Sequence, residues 1–216
     1  MNLQDKTSRE QVLKNIRNAI LTKTEMTFPD VDLEKQIYTV ENDDLELLFA
    51  TELIKAGGKF NYCANTQELV DTLKLLMKDK KIDSFFAKSS KIINTLKHHD
   101  IQVKDDEESF INTKAGITGC EALVARTGSV MISSRQMSGR RLNFLPETHV
   151  IIARPSQIVF NIKSAFQLLS EKYSQKLPSM ISNITGPSRT ADIEKTLVRG
   201  AHGPKELIVI IIEQPL

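Results

Sequence analysis

Two short turns near the C-terminal end of the chain hold most of the residue types able to bind or polarise an anion. Thr185-Gly186-Pro187-Ser188-Arg189-Thr190-Ala191-Asp192 is the first, and Gly200-Ala201-His202-Gly203-Pro204 the second. Arg189 offers a fork of N–H donors suited to carboxylate or phosphate. Ser188 and Thr190 add hydroxyls, and Gly186 and Gly203 let backbone approach a ligand closely. His202 can exchange protons near neutral pH, with Asp192 as the carboxylate that would orient it. Taken singly, the Gly-Pro-Ser triplet reads as a helix cap beside a surface arginine. The second turn, with its histidine between two glycines, tips the reading towards a site.

The elements that must position these turns follow from their flanks. Met180–Ile184 reads as a strand, broken by Gly186-Pro187. A short helix follows, capped by Ser188 or Thr190, with Asp192 and Glu194 in its first turn, where carboxylates suit the dipole. Gly200 ends that helix. Leu207–Ile212 is an uninterrupted, β-branched apolar run, the pattern of a strand covered on both faces. The reading places Met180–Ile184 beside this central strand. It directs the free N–H groups of the helix start into the crevice beyond the strand ends, where open α/β sheets bind ligands. Thr127-Gly128-Ser129 and Arg141 are expected on the opposite wall.

The rest of the chain supplies an α/β body. Thr7–Ile20 is amphipathic, with Val12, Leu13, Ile16, Ala19 and Ile20 on one face and a possible capping box at Thr7 and Glu10. A polar stretch over residues 22–38 follows. The expected organisation is an N-terminal helix and linker over 1–40 and an α/β domain over 41–216. From Leu45 onward, helical spacing alternates with short strands at Phe60–Cys63, Ser84–Ala87 and Ile101–Val103, with Asn65 and Glu68 placed to cap the second helix. Glu121–Arg126 and Ser129–Ser133 read as a hairpin or bent strand. His149–Ala153 is a strand and Ile158–Leu169 a helix. Together these predict an open, mostly parallel sheet with helices on both faces and an N-terminal helical arm. Glu121 is the one evident carboxylate able to act as a transferase-like nucleophile.

Composition narrows the function classes. Lys and Arg total 29 against 27 Asp and Glu, so no global field draws the chain to nucleic acid or membrane. No apolar run is long enough to span a bilayer, and the expectation is a soluble cytoplasmic protein. Cys63 and Cys120 lie far apart without C-x-x-C spacing, and two cysteines cannot supply the four ligands of an iron–sulfur cluster or zinc ribbon. No metal site and no cofactor are predicted in this chain. No G-x-G-x-x-G follows any strand, which argues against a dehydrogenase using NAD by itself.

Three stretches in order resemble one known family. Residues 186–194 (GPSRTADIE) with 200–204 (GAHGP) are similar to the C-terminal signature of the LUD (lactate utilization) domain, in its LutC/YkgG branch. Residues 116–129 (GITGCEALVARTGS) and 141–149 (RLNFLPETH) form a second match, and Ser8-Arg9-Glu10 with Ile16-Arg17 a weaker third. The resemblance implies a NagB/RpiA/CoA-transferase-like fold. It also implies the cluster-free member of a system that oxidises L-lactate to pyruvate, with two iron–sulfur proteins as partners and a small anionic ligand. Homo-oligomerisation stays open. Two other readings remain: a stand-alone enzyme acting on a phosphorylated or CoA-linked metabolite, and a structural adaptor.

Overall fold

The computed structural model describes residues 8–21, 32, 35, 44–190 and 198–214, in two units, Met1–Thr39 and Val40–Leu216. The first unit contains helix α1 (Ser8–Leu21). Its Val12, Leu13, Ile16 and Ile20 recur at the spacing of one helix face. Thr7, the predicted cap, lies outside the described residues.

In the second unit, local signals set the element boundaries. Asp44 Oδ1 accepts from Leu47 N at 2.9 Å and starts α2 (Leu45–Lys55), after which Gly57, at φ +85°, turns the chain into β1 (Lys59–Cys63). Asn65 Oδ1 accepts from Glu68 N at 3.0 Å and starts α3 (Thr66–Lys80). The alternation continues through β2 (Phe85–Phe86), α4 (Ser90–His98), β3 (Val103–Lys104), α5 (Glu107–Ile111) and β4 (Ala115–Thr118). Then β5 (Ala122–Val124) and β6 (Ser129–Ser133) form the predicted hairpin around a 3-10 turn at Ala125–Thr127, and β7 (Thr148–Ala153) follows.

The predicted helix from Ile158 begins later. Ile158–Val159 is a strand, β8, and α6 (Ile162–Lys172) starts where Asn161 Oδ1 accepts from Ser164 N at 2.9 Å. The chain ends with β9 (Ile181–Ile184), β10 (Arg189–Thr190), β11 (Val198–Arg199) and β12 (Glu206–Ile212).

Two sheets organise the unit. The larger runs β1-β12-β7-β4-β2-β3, with every pairing parallel. In β12, Ile208, Ile210 and Ile212 pack into one core with α3 and α4 residues, while Leu207, Val209 and Ile211 pack into another with Phe49 and Leu53 of α2. Burial on both faces explains why this strand reads as an unbroken apolar run. The smaller sheet, β8-β5-β6-β9, lies over the second of these cores, and its outer face is covered by α6 through Ala165 and Leu169.

This corrects one expectation. Met180–Ile184 does not neighbour the last strand: β9 pairs antiparallel with β6, Val130 opposite Ile184, at the edge of the second sheet. A second correction concerns the helix between the two turns. Arg189–Thr190 and Val198–Arg199 form an antiparallel ribbon, so Ser188 leads into a strand instead of capping a helix, and Gly200 follows a strand. Residues 191–197 lie outside those described. No helix among the described residues is long and apolar enough to cross a membrane.

Candidate functional site

The two turns meet through their backbones. Ser188 N–H donates to Pro204 O at 2.9 Å, and Gly200 N–H donates to Ser188 O at 3.0 Å. A Cβ added at Gly203 would lie 3.1 Å from Ser188 Cβ, so the second turn packs directly on the first. Gly186, at φ +75°, sits so close to the end of α2 that an added Cβ would fall 2.3 Å from Ala56 O. Only glycine fits both the backbone angle and the approach.

Around this junction opens a cleft of about 530 Å³, within the range of small-molecule sites. Asn183–Arg189 and His202–Pro204 line it, together with Ala56, Asn143, Phe144 and Leu207. The cleft therefore lies at the amino ends of β7 and β12 and the carboxyl end of β9. The crevice expected beyond the carboxyl ends of the main strands is a different place. Here the chain enters the main sheet through turns instead of leaving it into a helix.

The charges in the cleft have a definite arrangement. The last carbonyls of α2 form its negative end, unfavourable to an anion. The Arg189 guanidinium lies over Gly57 at that end, where a Cβ would come within 2.5 Å of its Nη2. A cation is favoured at a helix C-terminus, so Arg189 both stabilises α2 and leaves N–H groups for a ligand. Ser188 is half-buried and its hydroxyl forms no hydrogen bond among the described residues. His202 is exposed on the same cleft. Asp192, expected to orient it, lies outside the described residues.

The remaining candidates separate into groups. Thr127, Gly128 and Ser129 stand behind the cleft. Ser129 is fully buried, and its Oγ lies 2.7 Å from both Thr127 Oγ1 and Thr185 Oγ1, fixing Thr185 at the start of the first turn. Thr190 pairs with Val198 in the ribbon. Arg141 lies on another cavity, stacked 4.6 Å over the Phe110 ring and 3.6 Å from Glu107. Asn143 and Phe144 face the cleft instead. In a 3-10 turn, residues two apart point in different directions, and Arg141–Asn143 is such a turn. Arg141, the motif's charged residue, therefore lies on the other cavity and not on the wall expected for it. Ala56 had no signal beyond its place before Gly57-Gly58.

Glu121 is also elsewhere. Its carboxylate is buried and accepts from Ser133 Oγ at 2.6 Å, Tyr173 Oη at 2.7 Å and Lys172 Nζ at 2.7 Å. Burial pushes its pKa up, but these three donors hold it below the usual carboxylate range. This carboxylate is engaged in tying α6 to the second sheet. Cys63 and Cys120 are buried free thiols, and burial pushes Cys120 up to about 12.

One polar group in the core was not anticipated. His149 is fully buried next to Leu207 in the sheet register, with Nε2 2.8 Å from Thr118 Oγ1 and Nδ1 without a partner. Burial lowers its pKa to about 4. The unfolded chain takes up a proton near pH 6.5 and the folded chain only near 4, so this contribution to stability is complete above pH 6.5 and is lost as pH falls to 4. Thermal melts across this window are expected to show falling stability in wild type and a flatter profile in His149→Gln, whose amide can still reach Thr118. Parallel profiles for the two proteins would count against the assignment.

Comparisons with known proteins agree with this architecture. The LUD domain family model matches residues 47–212. Lactate utilization protein C of Anoxybacillus flavithermus is 32% identical over 165 residues, covering 68% of this chain and 71% of that protein. The proteins of the same name from Geobacillus thermodenitrificans and Bacillus subtilis are 38% and 37% identical over 99 residues, each match covering 45% of this chain. Those two matches span only 41% of the relatives' length. The crystal structure of a DUF162 family protein from Deinococcus radiodurans superposes with a TM-score of 0.59 at 19% identity, covering 78% of this chain and 96% of that one.

Proposed function

The chain belongs to the LUD domain family, and from that premise we propose that it serves lactate utilization by binding a small carboxylate in the cleft between its two Gly-Pro turns. The observation that carries the reading is the junction itself. Turns 185–189 and 202–204, far apart from Asn143 in sequence, form one cleft with it, and Arg189 and Ser188 stand on its wall as available donors. A three-carbon hydroxy or oxo acid fits within the cleft with room to spare, and its single carboxylate matches the single strong cation. The relatives named lactate utilization protein C support the pathway. In this reading the chain is the cluster-free member of the system, and iron–sulfur partners carry the electrons.

The test is calorimetric titration of the full chain with L-lactate and pyruvate. A charge-assisted contact contributes roughly 1.5–3 kcal/mol, so Arg189→Ala is expected to weaken carboxylate binding at least about tenfold. Its melting temperature should fall only slightly, through the lost interaction with the end of α2. Equal binding by the variant would remove Arg189 from the site. A wild-type chain that binds neither acid would favour an adaptor role.

A further inference from the structure

A second cavity, of about 230 Å³, lies on the other side of the Arg141–Asn143 turn. Phe86 and Lys88 line it from the carboxyl end of β2, Glu107 and Phe110 from α5, and Ser138 and Arg141 from the loop before β7. Its position in the sheet is distinctive. From β2 the chain leaves to α4, whose Ile92, Ile93 and Leu96 pack with Phe85 on one face. From the adjacent β3 it leaves to α5, whose Phe110 packs with Phe86 and Leu142 on the other. Neighbouring parallel strands whose connections part to opposite faces create a crevice at their carboxyl ends, the usual ligand position in open α/β sheets. The larger cleft described above does not occupy that position.

The groups around this crevice are poorly matched among themselves. Lys88 Nζ and the Arg141 guanidinium rest over the Phe86 and Phe110 rings, at 5.3 and 4.6 Å. Both face one carboxylate, Glu107, at 3.8 and 3.6 Å, too far for a hydrogen bond. Lys88 Nζ donates to Asp105 O at 2.7 Å, and neither of the two ammonium donors it has left reaches that carboxylate. One negative charge thus stands loosely between two cations, with Arg140 close by on the same rim. Ser138 Oγ is buried on the same cavity without a hydrogen-bond partner.

We propose that this crevice is a second anion site, for a phosphate or phosphoryl group held by Lys88, Arg141 and Ser138, with Glu107 occupying its place when it is empty. A tetrahedral oxyanion seated between them can accept from both cations and the hydroxyl at hydrogen-bonding distance, which Glu107, at 3.8 and 3.6 Å from the cations, does not. Cation–aromatic stacking holds the two side chains in place and reduces the entropy lost on binding. The site is separate from the carboxylate cleft, so either assignment can fail without the other.

The competitor role of Glu107 gives an unusual test. The full chain is titrated calorimetrically with inorganic phosphate, and separately with glycerol phosphate, at constant ionic strength. Glu107→Gln removes a negative charge about 4 Å from both cations and is expected to tighten phosphate binding roughly fivefold or more. Arg141→Ala is expected to weaken it at least about tenfold. Arg189→Ala, in the other cleft, should leave it unchanged. Tighter binding of glycerol phosphate would identify a phosphomonoester as the occupant, and tighter binding of inorganic phosphate the free ion. The proposal is overturned if Glu107→Gln binds no tighter than wild type, if Arg141→Ala binds as well, or if binding is lost with Arg189→Ala instead.

Discussion

Lys172→Met is expected to destabilise the protein by about 3 kcal/mol, because it leaves the buried Glu121 carboxylate without its counter-charge. Breaking a buried ion pair from one side is costly, since the remaining charge has neither water nor a counter-charge. The Glu121 side chain has no solvent exposure, whereas that of Lys172 is 51% exposed. That exposure places the expected loss at the low end of the range for buried pairs. Ser133 and Tyr173 still donate to the stranded carboxylate, so the fold should survive. Denaturant unfolding at neutral pH measures the loss, and adding Glu121→Gln to the same variant should recover much of it. In wild type, the Glu121 contribution is present above the ordinary carboxylate pKa and is lost as pH falls through its lowered folded value. Full stability in Lys172→Met would mean that the ion pair contributes nothing, and would reopen a chemical role for Glu121.

Gly128→Ala should cost as much or more. Gly128 has φ +58°, and an added Cβ would lie 2.1 Å from Leu53 N and 2.6 Å from Leu53 Cα. The left-handed backbone costs a non-glycine residue about 1–2 kcal/mol, and forcing atoms into packed surroundings about 1–3 kcal/mol more. The obstructing atoms are α2 backbone, which cannot turn aside as a side chain can. The sum, about 3 kcal/mol or more, would be read as a lowered denaturant midpoint. Gly139→Ala is the control: Gly139 also has positive φ, but no atom lies within 4 Å of its added Cβ. If the two variants lose equal stability, the close approach to α2 is not what holds Gly128. The turn it terminates also positions Ser129 against Thr185, so affinity in the carboxylate cleft should drop together with stability.

What the sequence revealed follows the reach of each signal. Asn65 with Glu68 and the apolar run at Leu207–Ile212 are encoded within a few residues, and both were legible. The ribbon of β10 and β11 was not. Each strand has two residues, too few for an alternation to register, and the charged stretch between them favoured a helical reading. The partner of β9 was hidden for a different reason. Its four residues, Ile-Ser-Asn-Ile, carry no alternation, and nothing in Ile181–Ile184 specifies Val130 instead of Leu207 as a neighbour. Within the 141–149 motif, the arginine drew attention by its charge, yet a 3-10 turn sends Arg141 and Asn143 to different cavities. The two Gly-Pro turns were legible as a site candidate because donors and glycines cluster there without any apolar pattern to explain them. That their cleft opens at the amino ends of the main strands was not, since strand order depends on pairings between residues as distant as Lys59 and Ile208.

The central claim, that these two turns form one carboxylate-binding cleft, is tested most directly by following backbone amide NMR signals of the full chain during titration with L-lactate. Saturable shifts are expected at Gly186, Ser188 and Arg189 and, at the same lactate concentrations, at His202 and Gly203. The Arg189→Ala variant should show them only at concentrations about tenfold higher or more. Saturation confined to one turn, shifts centred elsewhere in the molecule, or no saturable change at either turn would contradict the account.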